Sequence, residues 1–312
     1  MDRPEKANIF MLFFLCYSGI LPIVLSLVLL PFGNSFYTSF VLLLGHIFIF
    51  GVPMLLYCIF TKTRFGDIIP HEKLSIVNII LIVLITLFTA PVMNFAAALT
   101  QLFAENETGE AITEYMTKYP MWYMIVAVAV MPAVFEELSF RGFMMSGYKR
   151  CGAVKAIFFS ALFFGIMHLD LYQLPYATVA GIIMGILVYY SNSIFASMIA
   201  HFLINGSQVV LGMLLMDYAE TAEEIAPIEQ IKASGILLFI TLPFLLGLLY
   251  AYIRLNKGKN IDYEYSLSTK HEFQSDIVKD PKKDRILDFS FVMIFLFYVL
   301  YMQLTKVFEL LM

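Results

Sequence analysis

Two adjacent carboxylates and an arginine lie inside an apolar stretch, where residues 135–142 read FEELSFRG. A charged side chain at the centre of a bilayer costs roughly 2.5–3.5 kcal/mol on insertion scales, so it usually faces a bundle interior or a wet cavity. On a helix, Glu137 and Arg141 are four residues apart and share a face, whereas Glu136 points ~100° away. We therefore expect a structural Glu137–Arg141 pair and a free carboxylate at Glu136, available as a general acid or base.

Two later apolar segments each carry a histidine with a neighbour four residues away. The first pairs Phe164 with His168, and the second pairs His201 with Asn205 on one helical face. Counting ~1.5 Å per residue from the polar flanks places Glu136, His168 and His201 at similar depths. The three segments are therefore expected to meet at one polar cavity.

The spacing alone leaves three roles open for these residues: a structural polar network, a proton relay in a transporter, or catalysis. A lone histidine in a membrane helix, such as His46, is interpreted as a packing contact, and the pair Pro91 and Asn94 as a packing contact or a kink. No inverted repeat or pair of broken helices is recognisable, which weighs against a secondary transporter.

Other intramembrane protease chemistries do not fit. The His71-Glu72 pair lies in a polar loop with Ser75 where the HExxH motif of a zinc protease requires its second histidine. The Gly-x-Ser-Gly element of a rhomboid-like serine protease is missing. Asp170 and Asp217, the candidates for a presenilin-like pair of aspartates, lie near predicted helix ends. A Gly-rich phosphate loop is also missing, which weighs against a transport ATPase. A nucleic acid is not an expected partner.

The composition predicts that membrane helices position these side chains. The chain has 312 residues, of which 60% are hydrophobic and 14% charged, with a mean hydropathy of +0.81. A helix needs ~20 apolar residues to cross a bilayer. The prediction is an all-α, polytopic transmembrane bundle of eight to nine helices with its active site within the membrane. The nine candidate windows are 8–31, 36–60, 75–104, 119–147, 153–170, 173–191, 193–216, 233–254 and 286–311.

Charge alternates between the connections of such a bundle. Basic residues precede the first helix and follow the second, fourth and eighth, whereas the connections after the third and seventh helices are acidic. The positive-inside rule then predicts a cytoplasmic N-terminus and an outside C-terminus. The apolar windows and the polar stretch before the last of them divide the chain into a bundle at 1–255, a cytoplasmic polar loop at 256–285 and a C-terminal transmembrane helix at 286–312. The site of the reactive carboxylate is expected to open toward the cytoplasmic half of the membrane.

The three motifs resemble those of a known family, the CAAX protease and bacteriocin-processing family (CPBP, also called Abi) of intramembrane glutamic endopeptidases. Its pattern is EExxxR, then FxxxH, then HxxxN on successive helices. Here the motifs begin at Glu136, Phe164 and His201. The resemblance covers about residues 120–215, within a core at about 119–216.

The resemblance implies a role for each matching residue. Glu136 and His168 would activate water for attack on a peptide carbonyl, and His201 and Asn205 would stabilise the oxyanion. Glu137 and Arg141 would support the motif helix. No cofactor or metal is implied, although two histidines and a glutamate could in principle bind zinc.

The expected partners are membrane lipid and a peptide or protein substrate, in the plasma membrane of a bacterium. The alternative is a non-proteolytic scaffold, or an immunity or regulatory protein, with the same fold.

Overall fold

The computed structural model describes residues 3–216, 225–257 and 285–311 and folds them into helices joined by short connections. We number the helices in chain order, treating as one helix any run in which only the helical pitch changes. They are α1 Pro4–Phe32, α2 Asn34–Thr61, α3 Ile76–Thr100, α4 Glu107–Lys118, α5 Met121–Cys151, α6 Ala153–Met167, α7 Gln173–Ser191, α8 Ile194–Leu214, α9 Pro227–Asn256 and α10 Phe289–Leu311.

The predicted all-α polytopic bundle is confirmed. Seven of the described helices are long and apolar enough to cross a membrane, and α6 and α10 contribute two shorter apolar segments. Each of these nine helices overlaps one of the nine predicted windows, and the described residues contain no β-strand. The centre of the bundle is built from α5, α6, α7 and α8, with α3 and α9 packed on one side and α1 and α10 on another.

One helix was not predicted, because the acidic connection after α3 was read as a loop. The side chain of Asn106 accepts a hydrogen bond from the Gly109 amide and begins α4, and Lys118 lies in its last turn. Met116 packs with Met124 and Val209 in a small cluster of its own. The connection therefore forms an amphipathic helix that covers this end of α5 and α8.

Hydrogen bonds between connections show which helix ends lie together. The Ile194 amide donates to the Pro70 carbonyl at 2.8 Å, which joins the connection after α2 to the one after α7. At the other end, Thr108 donates to Asp170 at 2.9 Å. We call these the basic end and the acidic end, after the residues in their connections. This pairing agrees with the predicted alternation of crossings, whereas the assignment of the basic end to the cytoplasm stays a prediction.

A polar cluster at the basic end holds α10 against α1. The Asn8 amide donates to the Ile286 carbonyl at 2.9 Å and to the Asp288 carboxylate at 2.8 Å, and the buried hydroxyl of Tyr148 donates to the Asn8 oxygen. The last helix is therefore packed into the bundle. Most of the predicted 256–285 loop, and Asp217, Glu220, Glu223 and Glu224 of the second acidic connection, lie outside the described residues.

Two helices, α2 and α5, contain a π-helical turn just before a proline. Proline has no amide hydrogen and its ring clashes with the carbonyl four residues earlier, so a helix must adjust around it. In α5 the widened π-helical turn Ile125–Val130 precedes Pro132, and a second one, Leu138–Met144, follows Glu137. In α2 the π-helical turn Ile47–Gly51 precedes Pro53. Such turns are frequent at functional sites.

Candidate active site

The first pair of the site is Glu137 with Arg141, one helical turn apart in α5. An Arg141 nitrogen donates to Glu137 Oε1 at 2.8 Å, and neither side chain has any exposure. The guanidinium carbon also lies 4.3 Å from the centre of the Phe164 ring, on its face. A buried charge is tolerated when it is paired and covered in this way. The contact expected from the spacing is therefore present and fixes the middle of α5.

Glu136 is not the free carboxylate that the sequence suggested. Its Oε1 lies 3.3 Å from Nε2 of His46, which reaches it from α2, and its Oε2 lies 3.9 Å from Nε2 of His201. The side chain of Glu136 is 11% exposed. The sequence argument expected histidines from two later helices near Glu136 but did not assign His46 to it, because His46 is about ninety positions away in sequence.

His201 joins the two carboxylates from α8. Its Nδ1 lies 2.7 Å from Glu137 Oε1, and its Nε2 lies 3.2 Å from the side-chain amide of Asn205. A carboxylate only accepts hydrogen bonds, so Nδ1 carries a proton and donates to Glu137. An amide donates, so Nε2 accepts. This arrangement fits a neutral imidazole held from both sides, and the closest carboxylate to His201 is Glu137 rather than Glu136.

Asn205 has a second contact with the backbone of α5. Its amide nitrogen lies 3.0 Å from the Val128 carbonyl oxygen. Residue 132, which would normally donate to that carbonyl, is proline, so the carbonyl remains available for a side chain. The amide therefore bridges His201 and α5.

His168 lies at the end of α6, where the helix stops. Leu169 follows with a φ of 51°, in the left-handed region that ends helices and that a branched residue rarely adopts. His168 Nδ1 lies 2.8 Å from the Phe164 carbonyl oxygen. A carbonyl only accepts, so Nδ1 carries the proton and a neutral ring leaves Nε2 unprotonated. His168 therefore offers a basic nitrogen.

The Phe164 ring is the common neighbour of the site. It makes edge contacts with the rings of His168, at 5.0 Å, and His201, at 5.8 Å, while its face covers Arg141. The ring is nearly inaccessible to solvent. Its position explains the phenylalanine of the FxxxH motif as a packing residue.

Glu136 and His168 share the wall of a cavity of about 720 Å³. Phe50, Phe140 and Met167 supply apolar wall around them. His201 and Asn205 do not line the cavity, and His201 is only 4% exposed. The four candidate residues thus form two layers, with one pair facing the cavity and the other behind Glu136.

The cavity lies at the acidic end of the bundle. Its outer lining includes Glu105, Glu107, Thr108 and Asp170. The opening was expected at the basic end, which the basic connections assign to the cytoplasm, whereas the cavity lies at the opposite end of the bundle. The reason is that α6 ends early, at His168, and leaves space beneath α4. Which end faces the cytoplasm stays a prediction.

The charges of the site sum to one net negative charge, since two glutamates face one arginine and the two imidazoles of the motifs fit as neutral. No group of three or more histidine, cysteine, aspartate or glutamate side chains in the described part of the chain is placed to hold a metal ion.

Comparison with known proteins finds one family. Residues 118–207 match the model of the type II CAAX prenyl endopeptidase Rce1-like family. This segment of the chain contains all three motifs. No curated protein and no solved structure matches the chain significantly. The recognised resemblance is confirmed over this segment, which runs from the end of α4 into α8, and the match indicates a multi-pass membrane endopeptidase of the CAAX type.

Proposed function

We propose that the protein is a metal-independent intramembrane glutamic endopeptidase that hydrolyses peptide bonds of membrane-associated peptides or proteins. The observation that carries this proposal is the shared cavity wall of Glu136 and His168, two proton acceptors brought together from α5 and α6. A general base must lie near the water that it activates, and its support must hold it there. The Glu137–Arg141 pair, fully buried behind Glu136, supplies that support.

The reaction follows from these positions. A water in the cavity donates a hydrogen bond to Glu136, which takes its proton as the water oxygen attacks the carbonyl carbon of the substrate. His168 Nε2 accepts a hydrogen bond from the same water and orients it. The tetrahedral intermediate then collapses as its C–N bond breaks, and the proton held by Glu136 passes to the leaving amine. Water, substrate and products account for every atom.

His201 and Asn205 act from the second layer. The amide of Asn205 is within hydrogen-bonding distance of both Val128 and His201. We propose that Asn205 holds His201 in the resting site, and that an oxyanion contact from Asn205 requires its hydrogen bond to Val128 to break. A preorganised donor in a dry site contributes several kcal/mol, and the cost of breaking the hydrogen bond to Val128 would reduce that contribution here.

The proposal extends to location and substrate. The chain would lie in the plasma membrane of a bacterium with the basic end, including the 256–285 loop, in the cytoplasm. Substrate would enter from the acidic end, where the cavity lies. The cavity wall combines aromatic, aliphatic and carboxylate side chains, which suits a peptide with both apolar and polar residues.

The test is a comparison of new peptide termini by mass spectrometry in cells carrying the wild type, Glu136→Gln or the control Glu114→Gln at matched protein level. Glu114 is an exposed carboxylate in α4 whose only described ion pair is with Lys118. We expect a set of termini to disappear with Glu136→Gln and to persist with Glu114→Gln. Identical termini in all three strains, with a knockout phenotype rescued by each, would contradict the endopeptidase and favour the non-proteolytic scaffold.

A further inference from the structure

We propose that His46, on α2, is a positioning residue for Glu136; this inference rests on the endopeptidase function proposed above. The two side chains meet at 3.3 Å between His46 Nε2 and Glu136 Oε1. Helix α2 lies outside residues 118–207, the segment that matches the family model. The contact therefore adds to the site an element that none of the three motifs contains.

The chemistry of the contact fixes the proton on His46. Because a carboxylate oxygen only accepts, a hydrogen bond at this contact has Nε2 as its donor. The other ring nitrogen, Nδ1, is buried and has no hydrogen-bond partner among the described residues. An unprotonated ring nitrogen is a tolerable group to leave without a partner, whereas a buried N–H is rarely left so. The ring thus fits a neutral imidazole whose single N–H is directed at Glu136.

The surroundings hold the imidazole in this orientation. The ring of Phe50, one turn further along α2, is nearly parallel to it, with centroids 5.8 Å apart and an angle of 11° between the planes. Phe50 also lines the cavity. The π-helical turn Ile47–Gly51 starts directly after His46, so the backbone changes pitch between the two rings. The Phe50 ring therefore limits the rotation of the imidazole on one of its faces.

The contact divides the two oxygens of Glu136 between separate tasks. Oε1 is held by His46 on one side, and Oε2 is left beside His201 at 3.9 Å, beyond hydrogen-bonding distance. Oε2 is therefore the oxygen free to take the proton of the attacking water. Without His46 the carboxylate can rotate about its terminal bond, and the productive orientation becomes one of several.

Two substitutions separate positioning from packing. His46→Leu keeps an apolar side chain of moderate size and removes the N–H, while His46→Gln keeps a donor at the distance of Nε2. Thr89→Val is the matched control, because it removes a buried polar group whose only described hydrogen bond is to its own helix, α3. The substrate is a quenched fluorogenic peptide copied from a terminus lost with Glu136→Gln.

We expect His46→Leu to lower kcat about 10- to 100-fold with little change in KM, since misplacing a reacting group by ~1 Å can have an effect of that size. His46→Gln should recover most of kcat, and Thr89→Val should leave it near the wild-type value. Equal kcat for His46→Leu and the wild type would overturn the proposal. A rise in KM with unchanged kcat would also overturn it, because it would place His46 in substrate binding.

An infrared measurement on purified protein tests the contact without any substrate. The spectrum of the wild type minus that of Glu136→Gln isolates the carboxylate stretch of Glu136, and the same difference is taken in a His46→Leu background. We expect the band to move in that background and to stay near its original frequency with His46→Gln. An unmoved band overturns the proposal. A moved band in a protein that cleaves nothing supports the positioning of Glu136 and refutes the endopeptidase instead.

Discussion

The side-chain amide of Asn205 lies 3.0 Å from the carbonyl oxygen of Val128, so α8 is joined to the backbone of α5 two turns before Glu136. In a regular helix that carbonyl would be engaged by the amide of residue 132, which here is proline. Pro132 thus leaves the Val128 carbonyl without its usual donor, and the π-helical turn Ile125–Val130 accommodates the proline ring. The side-chain amide of Asn205 then donates to that carbonyl. A single imino acid in the sequence accounts for the position of a side chain on another helix.

Replacing that proline should damage activity more than stability. Pro132→Ala supplies an amide that can donate to Val128, which removes the reason for the π-helical turn and competes with Asn205 for the carbonyl. Loss of the turn would rotate Glu136 by up to ~100° relative to the rest of α5. We expect a fall in kcat of at least about 10-fold with a melting temperature equal to or above that of the wild type, measured on the detergent-solubilised protein.

The control for this prediction is Pro91→Ala in α3, a proline inside another membrane helix and outside the site. It should leave kcat near the wild-type value. If Pro132→Ala retained full activity, the link between the π-helical turn and the site would be refuted.

Breaking the Glu137–Arg141 pair should destabilise the fold strongly. Arg141→Met leaves the fully buried Glu137 without its cation, and removal of one partner from a buried pair typically costs about 3–5 kcal/mol. The double substitution Glu137→Gln with Arg141→Met should recover part of that loss, because no uncompensated charge remains. Thermal unfolding of the three proteins measures both effects.

The exposed pair Lys118 and Glu114 provides the comparison, since Lys118→Ala should change the melting temperature little or not at all. A melting temperature for Arg141→Met as close to wild type as that of Lys118→Ala would show that the buried pair is not a structural support.

Sequence reasoning located the motif residues because their pattern is local. Four-residue spacing within a helix gives Glu137 with Arg141, Phe164 with His168, and His201 with Asn205, and all three pairs are close in the structure. The approximate depth of each motif residue in the membrane could likewise be counted from the charged flanks of its helix. These features depend on the geometry of single helices, which the sequence determines directly.

Contacts between distant helices could not be derived in that way. His46 was interpreted as a packing residue because nothing near it in sequence suggests chemistry, and its meeting with Glu136 depends on the rotation of α2 relative to α5. Pro53 and Pro132 were the available signals, since each shifts the helical pitch beside the site. The end at which the cavity opens depends on where α6 stops, at His168, and on how α4 packs over the space that this leaves.

The polar cluster at Asn8 should determine how firmly α10 is held. Asn8→Leu removes the hydrogen bonds to Ile286 and Asp288 and leaves the buried hydroxyl of Tyr148 without its acceptor. Each buried polar group left without a partner costs about 1–3 kcal/mol, so a clear fall in melting temperature is expected. Hydrogen exchange should rise in α10, which contributes Tyr301 to the cavity wall.

Ser26→Ala is the matched control in α1, because the Ser26 hydroxyl is exposed and bonds within its own helix. An unchanged exchange rate in α10 of Asn8→Leu would show that apolar packing against α1 is sufficient to hold the last helix.

The side from which the cavity is reached can be measured by thiol labelling. In a background with Cys16, Cys58 and Cys151 replaced by serine, Met167→Cys places a thiol in the cavity wall. Glu110→Cys then marks the acidic end.

Lys62→Cys marks the basic end. A membrane-impermeant maleimide applied to intact cells should label Met167→Cys and Glu110→Cys and spare Lys62→Cys, because the acidic end is predicted to face outward. In inside-out vesicles the pattern should reverse for all three positions. If Met167→Cys were labelled from the same side as Lys62→Cys, a cavity at the acidic end would be contradicted. If Lys62→Cys were labelled in intact cells while Glu110→Cys and Met167→Cys were both spared, only the predicted orientation in the membrane would be contradicted. In either orientation, a substrate must present its scissile bond on the side where Met167→Cys reacts, so this measurement determines which pool of membrane peptides can be cleaved.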